Sequence, residues 1–344
     1  MLCIFCLKER PSTEEHIFPL AIGGTVTTDR VCESCNSGLG SRVDAALSDF
    51  FPIRARRAKL GLAGNGGEVP GLHEFFLGMA NLVGVEANQV HTAFNKSTGK
   101  LDLKQIPHKS ETTLTSGETS VQITVDARDR GKLPKMIQRE RTLRNLPPLP
   151  EEELANAVNN FAVNSVENPV VHITRAIDFK YLRHAMMKIA YELAFLWLGE
   201  AYLDDPKAAL LREAICSADP SSTDHIDGYV GFATEDQFKI FQAWIPHEAH
   251  HLAYSWVLHQ LDRVVIAIRV FDIYGAMITV SDEAGRYFQN AVDYSAKQRL
   301  LAIDTVTKKT IDVSFGVEQR RIAEAMDKYK RYPPFHDPLS EIVE

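Results

Sequence analysis

The sequence predicts an α+β protein made of a small, metal-stapled N-terminal module and a larger mixed α+β C-terminal domain. Three observations carry that expectation. Four of the five cysteines lie in the first 36 residues as two Cys-x-x-Cys pairs, Cys3/Cys6 and Cys32/Cys35. A stretch rich in turn formers, Gly61 to Gly71, then breaks the hydrophobic patterning. Beyond it, helical and alternating periodicities are interleaved to the end of the chain. With 344 residues, 45% of them hydrophobic, there is enough material for two cores. The expected partition is residues 1–60, a linker over 61–71, and residues 72–344.

The first element is the pair of cysteine knuckles. Two thiolate pairs, each separated by two residues, can present four sulfurs to one tetrahedral Zn2+ at about 2.3 Å, which makes it a structural zinc site. Disulfides are the alternative. The start of the chain has no charged n-region, apolar h-region or small-residue cleavage site, so a reducing, cytoplasmic setting and metal binding are expected. Cys216 stands alone and reads as a structural thiol.

Between the knuckles runs Glu15-His16-Ile17-Phe18-Pro19, and Asn36 follows the last cysteine directly. Adjacent residues on a strand project in opposite directions, so Glu15 can face a metal while His16 faces a substrate. Phosphodiester hydrolysis uses both. A hard divalent cation on oxygen ligands stabilises charge on the scissile phosphate, and a neutral imidazole takes the proton from an attacking water. The side-chain carbonyl of Asn36 can supply a second oxygen ligand.

At these residues the chain resembles the HNH endonuclease family, in particular its members with a zinc-stapled ββα-metal core. The matching stretch is Cys3-x-x-Cys6, Glu15-His16-Ile17-x-Pro19, Gly23-Gly24, then Val31-Cys32-x-x-Cys35-Asn36. The resemblance implies that Glu15 and Asn36 hold one catalytic Mg2+ or Mn2+, that His16 is the general base, and that the four cysteines hold Zn2+. The chain departs from the family in having Glu where Asp is commoner and Asn where the final His is commoner. The stretch from Gly24 to Arg30 also contains no Asn. Thr27, Thr28 or another group must then orient His16 in place of the family's middle Asn.

After Asn36 the pattern becomes helical. Leu39, Val43, Ala46, Leu47 and Phe50 form one apolar face, and Pro52 is expected to end the helix. Arg54, Arg56, Arg57 and Lys59 follow as a short basic run, read either as a solvated helix face or as phosphate contacts. Residues 1–60 carry eight Lys or Arg against seven Asp or Glu, and the rest of the chain has a balance of −8. The total of −7 excludes a broadly basic nucleic-acid binder, so any such surface is local. Gly61 to Gly71 lacks the Gly-Lys-Ser/Thr ending of a phosphate loop and reads as a linker.

Farther on, strands are expected at Val121 to Val125 and Thr310 to Phe315, where Ile311, Val313 and Phe315 share a face. Helices are expected to begin at Glu151, to span Asp178 to Tyr202 as a buried core helix, and to run from Pro206 to about Ile215. Arg183, Lys188, Glu192 and Glu200 interrupt the long apolar helix, so no membrane span is expected. Tyr254, Trp256, Phe271 and Tyr274 read as core aromatics rather than a base-stacking platform.

His247-Glu248-Ala249-His250-His251 matches His-Glu-x-x-His, a zinc-protease signature that works only on a helix. The period of two from Leu252 onward argues for a strand, in which His247 and His251 stand about 13 Å apart and cannot share a metal. The sequence therefore favours a metal-dependent DNA endonuclease, with RNA not excluded. A catalytically silent zinc module in a nucleic-acid-binding or regulatory protein comes second, and the protease third. Related nucleases are often joined to domains that select or sense a target, including in restriction and antiphage defence. By that analogy the C-terminal domain gates or targets the nuclease in response to a small-molecule or protein trigger. Double-strand breaks from a single active site would require a homodimer.

Overall fold

The computed structural model describes residues 1–64, 66–85, 89–174, 177–234, 248–288, 297–318, 320 and 324. The fold is α+β, as expected, with a ββα pattern at the N-terminus. Strand β1 (Ser12–His16) pairs antiparallel with β2 (Thr27–Cys32), and helix α1 (Glu33–Leu39) follows without a loop. A π-helical turn over Gly40–Asp44 leads into α2 (Ala45–Asp49). Leu39, Val43, Leu47 and Phe50 are buried, as the apolar spacing requires.

Pro52 has the opposite role to the one expected. The chain breaks at Phe50, and Pro52 lies in the first turn of α3 (Phe51–Leu60). A proline costs nothing there, because first-turn amides have no helical partner. The loop between β1 and β2 depends on its two glycines. Gly23 has φ +92°, and a Cβ on Gly24 would lie 1.8 Å from the Phe18 carbonyl oxygen.

Contact density divides the chain differently from the expected split of 1–60 and 72–344. One compact unit combines Met1–Pro70 with Ile177–Glu344, and Gly71–Ala176 forms the other. The inserted unit contains β3 (Gly78–Leu82), β4 (Gln89–Asn95), β5 (Lys100–Gln105), β6 (His108–Thr113), β7 (Thr119–Thr124), α4 (Leu133–Leu143), α5 (Glu151–Asn159) and β8 (Val171–His172). Its strands form a sheet of order β5-β4-β3-β8 and a separate β6-β7 hairpin.

The discontinuous unit continues with α6 (Phe179–Leu198), α7 (Pro206–Cys216), β9 (Gly228–Phe232), β10 (His250–Leu258), β11 (Arg263–Val270), β12 (Tyr274–Ser281), β13 (Arg299–Asp304) and β14 (Thr310–Ser314). The six strands form one antiparallel sheet of order β14-β13-β10-β11-β12-β9. Both faces of the sheet are apolar, which explains the near-continuous hydrophobic run of β11. Ile266 and Ile268 join the main core with α6, while Ala267 joins a smaller cluster with Leu252, Tyr254 and Leu300, against which Ile311, Val313 and Phe315 pack. Tyr254, Phe271 and Tyr274 are buried as expected, and Trp256 is 39% exposed.

The main core does not stop at the N-terminal module. Ile4, Ile17, Phe18, Ile22, Val31, Leu47 and Ile53 belong to the same buried cluster as Met186, Ile189, Leu193, Ile268 and Ile303. Tyr191 on α6 donates its hydroxyl hydrogen to the Ile4 carbonyl at 2.6 Å. No helix among the described residues is long and apolar enough to cross a membrane.

Candidate functional site

The two cysteine pairs converge. The sulfurs of Cys3, Cys6, Cys32 and Cys35 all lie within 4.8 Å of one another, and none forms a disulfide. Cys6 and Cys32 are 3.9 Å apart at sulfur, close to the edge of about 3.8 Å that a tetrahedral Zn–S4 centre imposes. The amide of Cys32 points at Cys3 Sγ from 3.5 Å. The Ser34 hydroxyl holds the Cys32 thiol down at about 6, while burial pushes Cys35 up. Four thiols this close cannot all ionise without a cation between them, and the donor set fits Zn2+.

This frame positions β1. Glu15 and His16 lie at its end and point to opposite sides, with Glu15 buried at 3% exposure and His16 half-buried. His16 pairs across the ladder with Thr27, and Glu15 pairs with Thr28. Cross-strand partners share a face, so Thr27 is the strand neighbour of the His16 ring. The Thr28 hydroxyl instead accepts from the Arg30 amide at 3.2 Å. Asn36 lies inside α1 and donates Nδ2 to the Glu14 carbonyl at 2.8 Å and to Thr13 Oγ1 at 3.2 Å, tying the helix to β1.

The Glu15 carboxylate has a partner the sequence did not suggest. Lys188, fully buried on α6, places Nζ 2.5 Å from Glu15 Oε1, 3.2 Å from Asp44 and 3.3 Å from Glu192. Burial drives Asp44 up to about 6 and Glu192 well above the usual carboxylate range. For Lys188 burial works in the other direction, but the three acids outweigh it and hold the ammonium above its ordinary value. Tested against Mg2+ or Mn2+, the arrangement does not fit. The Glu15 oxygen already faces an ammonium and is shut from solvent, whereas Mg2+ keeps several waters when it binds protein carboxylates. Only the i, i+4 spacing of Lys188 and Glu192 hinted at this cluster, because its link to Glu15 spans 173 residues.

The basic run has partners within its own unit. Arg57 is 6% exposed and donates to the Ser48 carbonyl at 3.1 Å, and burial lowers its pKa. Arg56 bonds the Glu248 carbonyl at 2.6 Å and pairs with Asp272 at 2.7 Å, while Lys59 pairs with Glu248 at 2.5 Å. Arg54 lies 3.9 Å from Asp49. Because Arg56 and Lys59 stand three residues apart on α3, they share the face that meets the 248–272 region.

The protease reading is overturned by the strand itself. His250 and His251 open β10, and Glu248 is engaged by Lys59; His247 lies outside the described residues. His251 is fully buried, with Nε2 2.9 Å from the Ile22 carbonyl and Nδ1 accepting from the Phe271 amide at 3.3 Å. Its ring stacks on Phe18 at 5.2 Å between centroids. Burial lowers its pKa to about 3, so it is a neutral clamp between the β1–β2 loop and the sheet.

Compared with known proteins, residues 3–52 match the family model described as HNH endonuclease. No curated protein and no solved structure matches the chain.

Proposed function

We propose that this chain is an endonuclease of HNH type that hydrolyses DNA phosphodiester bonds, starting from the HNH match over residues 3–52. The observation that carries the reading is the placement of His16. It lies half-buried at the end of a strand held within the four-cysteine frame, on the face away from buried Glu15. From there the imidazole can take a proton from water attacking a phosphate. Thr27 is its strand neighbour where the family has Asn. Zn2+ on Cys3, Cys6, Cys32 and Cys35 is structural in this scheme and keeps β1 and α1 in register. Mg2+ or Mn2+ on Glu15 and Asn36, which the family resemblance implies, requires Lys188 to release Glu15 first. Restriction or antiphage defence, with the rest of the chain gating or targeting the nuclease, remains the biological setting by analogy with the family. A homodimer would supply the second cut.

The second reading is a zinc module that binds nucleic acid without cutting it. It is favoured by the Glu15–Lys188 ion pair and by the absence of Asn from Gly24 to Arg30. Incubating supercoiled plasmid with wild type and His16→Ala in Mg2+, Mn2+ or EDTA separates the two. Nicking by wild type that disappears in the variant and in EDTA supports the nuclease. Retained zinc with no cutting under any condition leaves the module.

A further inference from the structure

Four ionisable side chains meet where α6 packs against the N-terminal module. Lys188 is enclosed by Glu15, Asp44 and Glu192, at 2.5, 3.2 and 3.3 Å. The lysine is fully buried, Glu15 is 3% exposed and Glu192 1%. Glu192 also has a second oxygen, Oε1, sealed from solvent with no hydrogen-bond partner among the described residues. Three acids around one ammonium leave negative charge in excess in a low-dielectric pocket, where an uncompensated carboxylate is costly. Such a pocket, with one acceptor still unused, favours a cation of higher charge.

The four groups come from two sources. Glu15 ends β1 and Asp44 ends the π-helical turn, so both belong to the N-terminal module. Single π turns of this kind are frequent at functional sites. Lys188 and Glu192 are one turn apart on α6. An ammonium and a divalent ion cannot both sit within contact distance of the same Glu15 oxygen, since like charges a few ångströms apart in a buried site repel strongly.

We propose that Glu15 and Asp44 form the cation position of the N-terminal module, and that Lys188 is the cation filling it in this conformation. A divalent metal and the lysine ammonium then compete for the same carboxylates. Functionally this rests on the nuclease reading, and it supplies a regulation of that site: withdrawal of Lys188 with α6 uncovers the acidic pair.

The test is a titration of the full-length, zinc-loaded chain with Mn2+, with free Mn2+ followed by electron paramagnetic resonance. Lys188→Met is expected to bind Mn2+ roughly tenfold or more tightly than wild type, as removal of a competing charge predicts. The gain should vanish when Glu15→Gln or Asp44→Asn is added. Because Lys188→Met strands three buried acids, Lys188→Met/Glu192→Gln is titrated beside it, with circular dichroism and zinc content reporting the fold. If both lose their fold without metal, excess Mn2+ must restore it, and failure to do so overturns the proposal. Unchanged affinity in the folded variants, or a gain that survives Glu15→Gln, also overturns it. Plasmid nicking keeps the two readings apart. Tighter Mn2+ binding with no nicking in any variant upholds the competition and removes the nuclease, whereas nicking by wild type with unchanged Mn2+ affinity does the reverse.

Discussion

His251 has both ring nitrogens bonded, one to the Ile22 carbonyl and one to the Phe271 amide, and its ring lies flat against Phe18. Burial holds its pKa near 3. In the unfolded chain it titrates near 6.5, so below that pH the unfolded state takes up a proton that the native state refuses. The native state is therefore penalised progressively as pH falls from 6.5 toward 3, by about 1.4 kcal/mol per pH unit. From pH 6.5 to 5 this one residue should remove about 2 kcal/mol, and urea denaturation of His251→Gln should lack that part of the slope. His251→Ala should cost about 3 kcal/mol at pH 7.5, through lost packing and two orphaned backbone groups, without changing the zinc content. Single residues were unevenly legible in the sequence. The opposite directions of Glu15 and His16 follow from strand alternation, and the strand reading of His251 follows from the period of two after it. The partner of Glu15 could not be read, because no local spacing connects residue 15 to residue 188.

At the level of elements, the cysteine knuckles and α3 do different work. The knuckles were fully legible, since a Cys-x-x-Cys spacing has few geometric solutions, and the sulfurs do converge. Removing the metal with a chelator, or substituting Cys32→Ser, should loosen β1, β2 and α1 together. Hydrogen exchange should report faster exchange throughout residues 12–39, while β11 keeps its protection because its ladder partners lie elsewhere. The basic residues of α3 were legible as a run but not by role, because charge reads the same whether its partner is phosphate or Asp272. Their partners make them structural, so Arg56→Ala should lower stability by about 1–3 kcal/mol, the cost of leaving Asp272 and the Glu248 carbonyl without their donor. The salt dependence of any DNA binding should barely move. A drop of one in the salt slope, measured by fluorescence anisotropy, would instead make Arg56 a phosphate contact. Pro52 was misread for a similar reason, since proline marks a helix boundary without saying on which side the helix lies.

The whole molecule is organised around a core that joins both ends of the sequence. Ile4, Ile17, Phe18 and Ile22 share it with Met186, Leu193, Ile268 and Ile303, and Gly71–Ala176 forms a separate unit between the two halves. Composition could suggest where turns cluster, and the break after Gly61 was visible in that way. It could not show that the chain returns to its N-terminal module after more than a hundred residues, because contact between distant segments leaves no periodic trace. One prediction follows at this scale. Residues 1–70 expressed alone with excess Zn2+ should not give a dispersed amide spectrum, because the fragment lacks α6 and the sheet that cover its apolar side. A folded, zinc-bound fragment would show instead that the module is independent.

The return of the chain to its own beginning also bears on synthesis. Translation proceeds at about 5–20 residues per second, so the stretch between Pro70 and His251 takes on the order of ten to thirty-five seconds to emerge. Throughout that interval the nascent module has neither Tyr191 to bond Ile4 nor His251 to bond Ile22. A polypeptide able to cut DNA would thus leave the ribosome unfinished at its catalytic end, and would become competent only when its last strands arrive.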